Sequence, residues 1–195
     1  MSIFRSSIGA SLALCAAAAI AATPDEKPGF EQIEPITYGG MFTDAVQAQH
    51  AGRKAEAFGK FMRLACGGDK AAQEEVGLMY LVGEGVEKST ATAYVWLKTA
   101  AEFNLASFRT LTNKIEDAMT PEQRKHFGQL ADDMRARYGQ RATNVTCSAH
   151  SSSTFSSNIK DSVLCSPKRG GSMLQVQRCY ATEAAAIAAA HDPSP

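Results

Sequence analysis

Cysteine and histidine side chains in the last third of the chain have the types and spacing that could do chemistry. Cys147 and His150 are three residues apart, and Cys165 and Cys179 follow them. Thiolates and imidazoles bind zinc tetrahedrally, so these four residues could supply one zinc site. The same cysteines could instead form disulfides, which persist in oxidising compartments. The choice between metal and disulfide therefore depends on where the protein resides.

The amino-terminal residues 1–22 indicate that the protein is exported. Arg5 is their only charged side chain, and residues 8–22 (IGASLALCAAAAIAA) are uncharged and end in small residues. This pattern is typical of a cleaved signal peptide. A stretch of this length is too short to cross a hydrocarbon core of about 30 Å as a helix, so we expect no membrane insertion after signal removal. The sequence thus predicts a periplasmic or secreted protein.

Export changes the interpretation of the cysteines. Removal of the signal peptide takes Cys15 away, so the mature chain keeps Cys66, Cys147, Cys165 and Cys179. Four cysteines in an oxidising compartment predict two disulfides, for which three connectivities exist. We favour Cys147–Cys165, which closes across a serine-rich stretch, and Cys66–Cys179, which would tether the C-terminal region. Zinc held by the C-terminal cysteines and histidine stays open as the alternative.

A Gly-x-Gly pair at Gly83 and Gly85 raises the question of a phosphate-binding loop. A dinucleotide fingerprint needs a third glycine after a strand, and a phosphate-binding loop needs Gly-Lys-Ser/Thr. Lys88 stands at the third position, and the residues before the pair have a helical pattern. The two glycines are therefore predicted to form a turn between helices, where φ > 0 is required.

Charge and side-chain spacing argue against several other classes of protein. The chain has 20 basic and 20 acidic residues, so its overall balance does not attract nucleic acid. Glu116 and Asp117, like Asp132 and Asp133, point about 100° apart on a helix and do not converge as an acid/base couple. We interpret both pairs as solvated helix faces. With no nucleophile elbow around the serines, the sequence predicts a protein that is not an enzyme and has no cofactor.

The elements that hold these residues are predicted to be helical from residue 44 to residue 138. Apolar side chains recur there with the period of an amphipathic helix. Ser89 is a predicted N-cap, and Thr120, followed by Gln123, predicts a capping box. We expect six helices: over residues 44–51 and 54–65, from 70 to 83, after Ser89, around 108–118, and from 121 to 138.

The composition changes along the chain. Residues 162–165 and 173–179 are predicted strands, and residues 181–191 a short helix. This C-terminal part has little apolar content, so we expect its cysteines to hold it in shape. The chain divides into a signal peptide (1–22), an extended leader (23–40), a helical repeat domain (41–139) and a serine-rich, disulfide-held appendix (140–195).

One stretch of the helical domain resembles a Sel-one-like repeat. Its pattern is Ala72-x-x-x-Val76-Gly77-x-x-Tyr80-x-x-Gly83-x-Gly85-Val86, followed by Ala93-x-x-Trp96-x-x-x-Ala100-Ala101. Repeats of that tetratricopeptide-like family are pairs of antiparallel helices. The resemblance covers about residues 42–138, with one clear repeat, and implies an all-α solenoid of about three helix pairs. Gly77 then implies a closely packed neighbouring helix, since a mid-helix glycine costs about 1 kcal/mol against alanine.

The resemblance also implies a function in protein–protein interaction. Repeat modules of this kind serve as binding platforms, so we predict an exported bacterial scaffold or adaptor with an unidentified protein partner. We expect the contact surface on the concave side, formed by the first helix of each pair. Two alternatives stay open. One is an envelope metal-binding protein or enzyme that uses the C-terminal cysteines and His150, and the other is a purely structural envelope component.

Overall fold

The structure, a computed structural model, describes residues 27–150 and 162–191. It is mostly helical, at 66% helix, with a small sheet region, which confirms the predicted helical class and corrects the all-α prediction. The predicted signal peptide (1–22) lies outside the described residues. In chain order the elements are β1 (Phe30–Ile33), α1 (Pro35–His50), α2 (Lys54–Cys66), α3 (Lys70–Val82), α4 (Thr90–Ala100), a 3-10 turn (Ala101–Phe103), α5 (Ala106–Asp117), α6 (Pro121–Tyr138), α7 (Gln140–Thr143), β2 (Val145–His150), β3 (Ser162–Pro167), β4 (Arg169–Gly170), β5 (Met173–Gln177) and α8 (Ala181–His191).

Side-chain caps fix the starts of three helices. The Asp69 and Ser89 side chains each accept the backbone N–H three residues further on, at 2.9 and 3.2 Å, and begin α3 and α4. Thr120 and Gln123 form the predicted capping box at the start of α6. Each cap satisfies an N–H group that the first turn of a helix leaves without an intrahelical partner.

The prediction of an extended leader over residues 23–40 is wrong for its described part. Phe30–Ile33 is a strand that pairs antiparallel with β5 and places Ile33 opposite Leu174 in the core. Pro35 begins α1, well before the predicted helix start at residue 44. Proline is compatible with the first helical position because its missing N–H needs no partner there. The sequence did not predict this strand, because the strand that pairs with it, β5, lies far away in the chain.

In the first two helix pairs the partner helices pack against each other, whereas in the third pair, α5 and α6, they do not. Helices α1 and α2 pack against each other, as do α3 and α4, and α2 also packs on α3. Helices α5 and α6 instead both pack against α4 and have few contacts with each other. The six predicted helices are therefore present, but the last two do not form the packed pair that a regular solenoid would contain.

The C-terminal appendix folds back onto the first helices. Strand β5 lies between β1 and β4 in a three-stranded sheet, β2 and β3 pair separately, and α8 packs on α2. Leu174, Val176 and Tyr180 are buried in the same core as the helices. The predicted strands near 162–165 and 173–179 are confirmed as β3 and β5. The appendix thus shares the main core and is not held by its cysteines alone.

Candidate functional site

The residues of the repeat-like motif form the interior of the α3–α4 pair. A Cβ atom on Gly77 would lie 2.6 Å from Cγ of Leu97, so α4 does pack as closely on Gly77 as expected. The partly buried Val86 packs against the same core, and Ala101 begins the 3-10 turn. The other helical motif residues are at most 8% exposed: Ala72, Val76, Tyr80, Ala93, Trp96 and Ala100.

The Gly-x-Gly pair is a turn, as predicted. Gly83 and Gly85 have φ values of 77° and 70°, in the left-handed region that favours glycine. A Cβ atom on Gly85 would lie 2.3 Å from the carbonyl oxygen of Lys54, so the turn also rests on the start of α2. The glycines therefore have a structural role in joining α3 to α4.

The cysteines lie together in the two pairs that we favoured from the sequence. The Sγ atoms of Cys66 and Cys179 are 2.20 Å apart, and those of Cys147 and Cys165 are 2.08 Å apart. The first pair joins α2 to the segment before α8, and the second joins opposite positions of β2 and β3. Zinc is bound by cysteine thiolates, and a cysteine in a disulfide is not a thiolate. The two pairs therefore argue against the zinc alternative.

Two observations bear on the compartment. The cysteine pairs at disulfide distance fit an oxidising extracellular or periplasmic environment. In the part of the chain that the structure describes, no helix is both long and apolar enough to cross a membrane.

An apolar cleft opens where α5 and α6 diverge on α4. Two depressions of about 490 and 250 Å³ meet at Ala91, near the start of α4. Leu130 on α6 is 41% exposed, and Phe127 and Met134, at helical spacing from it, are half-buried. The remaining apolar side chains of the cleft are Val95, Ile115, Ala118 and Met119. The cleft therefore offers apolar side chains from three helices to a partner.

Glu116 holds the walls of this cleft together. Its carboxylate accepts hydrogen bonds from the Tyr94 hydroxyl at 2.6 Å and from the Lys98 ammonium, both on α4. Arg124 on α6 donates to the Glu116 carbonyl oxygen at 3.1 Å. Burial raises the pKa of Glu116, but the Lys98 and Tyr94 donors outweigh burial and leave that pKa below its ordinary value. The prediction of a solvated face is wrong for Glu116, because α4 brings donors beside it.

The rim of the cleft is polar and carries both signs of charge. Lys114, Gln123, Asp133 and Arg137 line it beside the apolar side chains. Such an arrangement suits the burial of apolar side chains with polar contacts around them, as in protein–protein interfaces. The sequence predicted an amphipathic helix over residues 121–138 but not what covers its apolar face. Periodicity identifies a stripe without showing whether another helix covers it.

The chain matches no family model, no curated protein and no solved structure with which it was compared. The Sel-one-like resemblance of residues 72–101 therefore stays a prediction. The cleft between α4, α5 and α6 is a candidate site on its own geometry, independently of that resemblance.

Proposed function

We propose that this protein is an exported protein–protein interaction module whose cleft between α4, α5 and α6 binds an amphipathic helix of another protein. The observation that carries the proposal is the stripe of Phe127, Leu130 and Met134, which α5 leaves partly exposed. Exposed apolar patches with a polar rim mark interaction sites. A groove between diverging helices suits a further helix, because ridges of side chains on one helix pack into grooves on another.

Export to the periplasm or to the outside of the cell is part of the proposal. The two cysteine pairs and the signal pattern of residues 1–22 support it. We propose a bacterial scaffold or adaptor of the Sel-one-like type, without catalytic activity of its own. The contact surface lies mainly on α4 and α6, the second helices of their pairs, and differs from the concave surface that the resemblance implied.

Site-specific photo-crosslinking tests the proposal, with a reporter at Leu130 and a control reporter at Ile36. Both positions are exposed and apolar, at 41% and 84% exposure, but Ile36 lies on α1 and does not line the cleft. In the cells that express the protein, we expect one reproducible adduct with a different protein at Leu130 and none at Ile36. Because Phe127 also lines the cleft, Phe127→Glu should remove that adduct.

Three results would contradict the proposal. They are the absence of an adduct at Leu130, equal adducts at both positions, and an adduct formed only with a second copy of this chain. Circular dichroism of the Phe127→Glu variant checks that the helices persist, which we expect because Phe127 is only half-buried.

A further inference from the structure

A second cavity lies between α1 and the appendix and shares no lining residue with the cleft. Its volume is about 250 Å³, below the range of roughly 300–1,000 Å³ typical of pockets for drug-sized ligands. Tyr38 and Phe42 of α1 contribute aromatic rings to its wall, together with Leu64 and Leu174. The cavity is therefore suited to a small molecule with an apolar part.

Asp69 places a buried carboxylate in the wall of this cavity. The residue is 8% exposed, and its Oδ1 accepts the N–H of Ala72 at 2.9 Å as the cap of α3. Its Oδ2 accepts the Tyr38 hydroxyl at 3.5 Å, which is too long for a strong hydrogen bond. Burial raises the pKa of Asp69, although the N–H groups of Ala72 and Ala71 and the Tyr38 hydroxyl act in the opposite direction. Oδ2 thus has capacity for a better donor.

Lys70 acts electrostatically on the Asp69 carboxylate but does not form an ion pair with it. Among residues 27–150 and 162–191, no lysine, arginine or histidine forms an ion pair with it. The adjacent Lys70 directs its ammonium to Glu102 at 2.8 Å and to Gln73 at 3.0 Å. A buried carboxylate is costly without a partner of opposite charge, so a ligand ammonium in the cavity would offset this cost.

The cavity also has a cation near its mouth. Arg169 is exposed and lines the cavity, as does Leu164, which is 58% exposed. A guanidinium there suits a ligand carboxylate, with which it can form two parallel hydrogen bonds. Aromatic rings such as those of Tyr38 and Phe42 are favourable neighbours of an ammonium group.

We propose that this cavity binds a small amino-carboxylate, with its ammonium group on Asp69, its apolar body against Tyr38 and Phe42, and its carboxylate on Arg169. Each charged group of the ligand then faces a side chain of opposite charge. This binding site is separate from the cleft, so its existence does not depend on the proposed interaction function.

Titration calorimetry with three probes of equal chain length tests this site. The probes are 5-aminopentanoate, pentylamine and pentanoate, which carry both charges, only the ammonium, and only the carboxylate. We expect 5-aminopentanoate to bind most tightly, pentylamine more weakly and pentanoate least.

Two variants assign the charged groups of the site. Asp69→Asn removes the charge but keeps a side chain that caps a helix well, and should weaken binding of 5-aminopentanoate at least about tenfold. Arg169→Gln should weaken 5-aminopentanoate but not pentylamine. Asp44→Asn, at an exposed position of α1 that does not line the cavity, is the matched control and should change nothing.

The proposal is overturned if none of the three probes binds, if pentanoate binds best, or if neither variant changes the affinity for 5-aminopentanoate. Circular dichroism checks the fold of Asp69→Asn. If that variant does not fold, the probe series on the unaltered protein and the Arg169→Gln variant still decide the question, because neither alters the cap of α3.

Discussion

The α1–α4 helices and the α5–α6 end of the molecule differ in how far the chain covers their apolar surfaces. Phe58 and Phe61 on α2 are completely buried, and α8 packs over α2. On α6 only Ala131 and Tyr138 are buried, and Leu130 is 41% exposed. The difference arises because the appendix returns to α1 and α2. The apolar face of an amphipathic helix is therefore buried only where another segment of the chain packs on it, and otherwise stays available as a binding surface.

Tyr138, the last residue of α6, joins the two regions. Its ring stacks on Trp96 at 5.4 Å, and its hydroxyl accepts the N–H of Tyr180 at 2.9 Å. The hydroxyl also donates to the carboxylate of Glu183 on α8. The C-terminal end of α6 is therefore fixed to α4 and α8, while Phe127 and Leu130, nearer the start of α6, face the cleft.

The largest effect is expected from the bond that anchors the appendix. Replacing Cys66 and Cys179 by alanine should lower the free energy of unfolding by about 4–5 kcal/mol in the chain-entropy account, because the bond joins residues 113 apart in sequence. The matched double variant of Cys147 and Cys165, which are 18 apart, should lose about 3 kcal/mol. Urea unfolding measures both. Equal losses, or a larger loss from the second pair, would show that the bond between α2 and the appendix does not stabilise the α1–α4 helices through the length of the loop it closes.

A pair of glycine substitutions compares the packing of the two regions directly. Gly77→Ala places a Cβ atom 2.6 Å from the buried Leu97. The cost of this overpacking, about 1–3 kcal/mol, should exceed the gain in helix propensity and lower the stability of the protein. Gly128 on α6 has no neighbour within 4 Å of such a Cβ atom. Gly128→Ala should therefore raise the stability by about 0.5–1 kcal/mol. Melting temperatures that moved in the same direction would contradict the comparison.

A smaller, pH-dependent effect is expected from Glu74 on α3. Burial, with a contribution from Glu75, raises the pKa of Glu74 to about 7. The folded state therefore binds this proton more tightly than the unfolded state, so the stability should fall as the pH rises from about 4.5 to 7. Glu74→Gln should stabilise the protein by about 1 kcal/mol at pH 8, after discounting for partial solvent exposure, and little at pH 4.

Thermal melts at the two pH values measure this effect, and Glu87→Gln at an exposed position is the control. A gain from Glu74→Gln that is equal at both pH values would exclude ionisation as its cause. A matching gain from Glu87→Gln would assign the effect to net charge instead of to the desolvated position on α3.

Much of the local structure could be predicted because its causes are short-range. Ser89 and Thr120 begin helices through bonds to N–H groups three residues away. Gly83 ends α3 through its own left-handed conformation. Four cysteines in a chain with a signal pattern predicted two bridges, and the serine-rich spacing favoured the pairing that the structure contains. Each of these signals needs only neighbouring residues or a simple count.

The sequence by itself therefore determined most of the helices, the caps at Ser89 and Thr120, the turn at the glycine pair and the favoured cysteine pairs. Only the tertiary structure decided that residues 30–33 form a strand, that Glu116 is paired, that Leu130 stays exposed and that Asp69 lines a cavity. These features depend on contacts between residues distant in sequence, such as β1 with β5 and α5 with α4. Hydrophobic periodicity shows which face of a helix is apolar, but burial is fixed by what packs on that face, and that is a property of the whole chain.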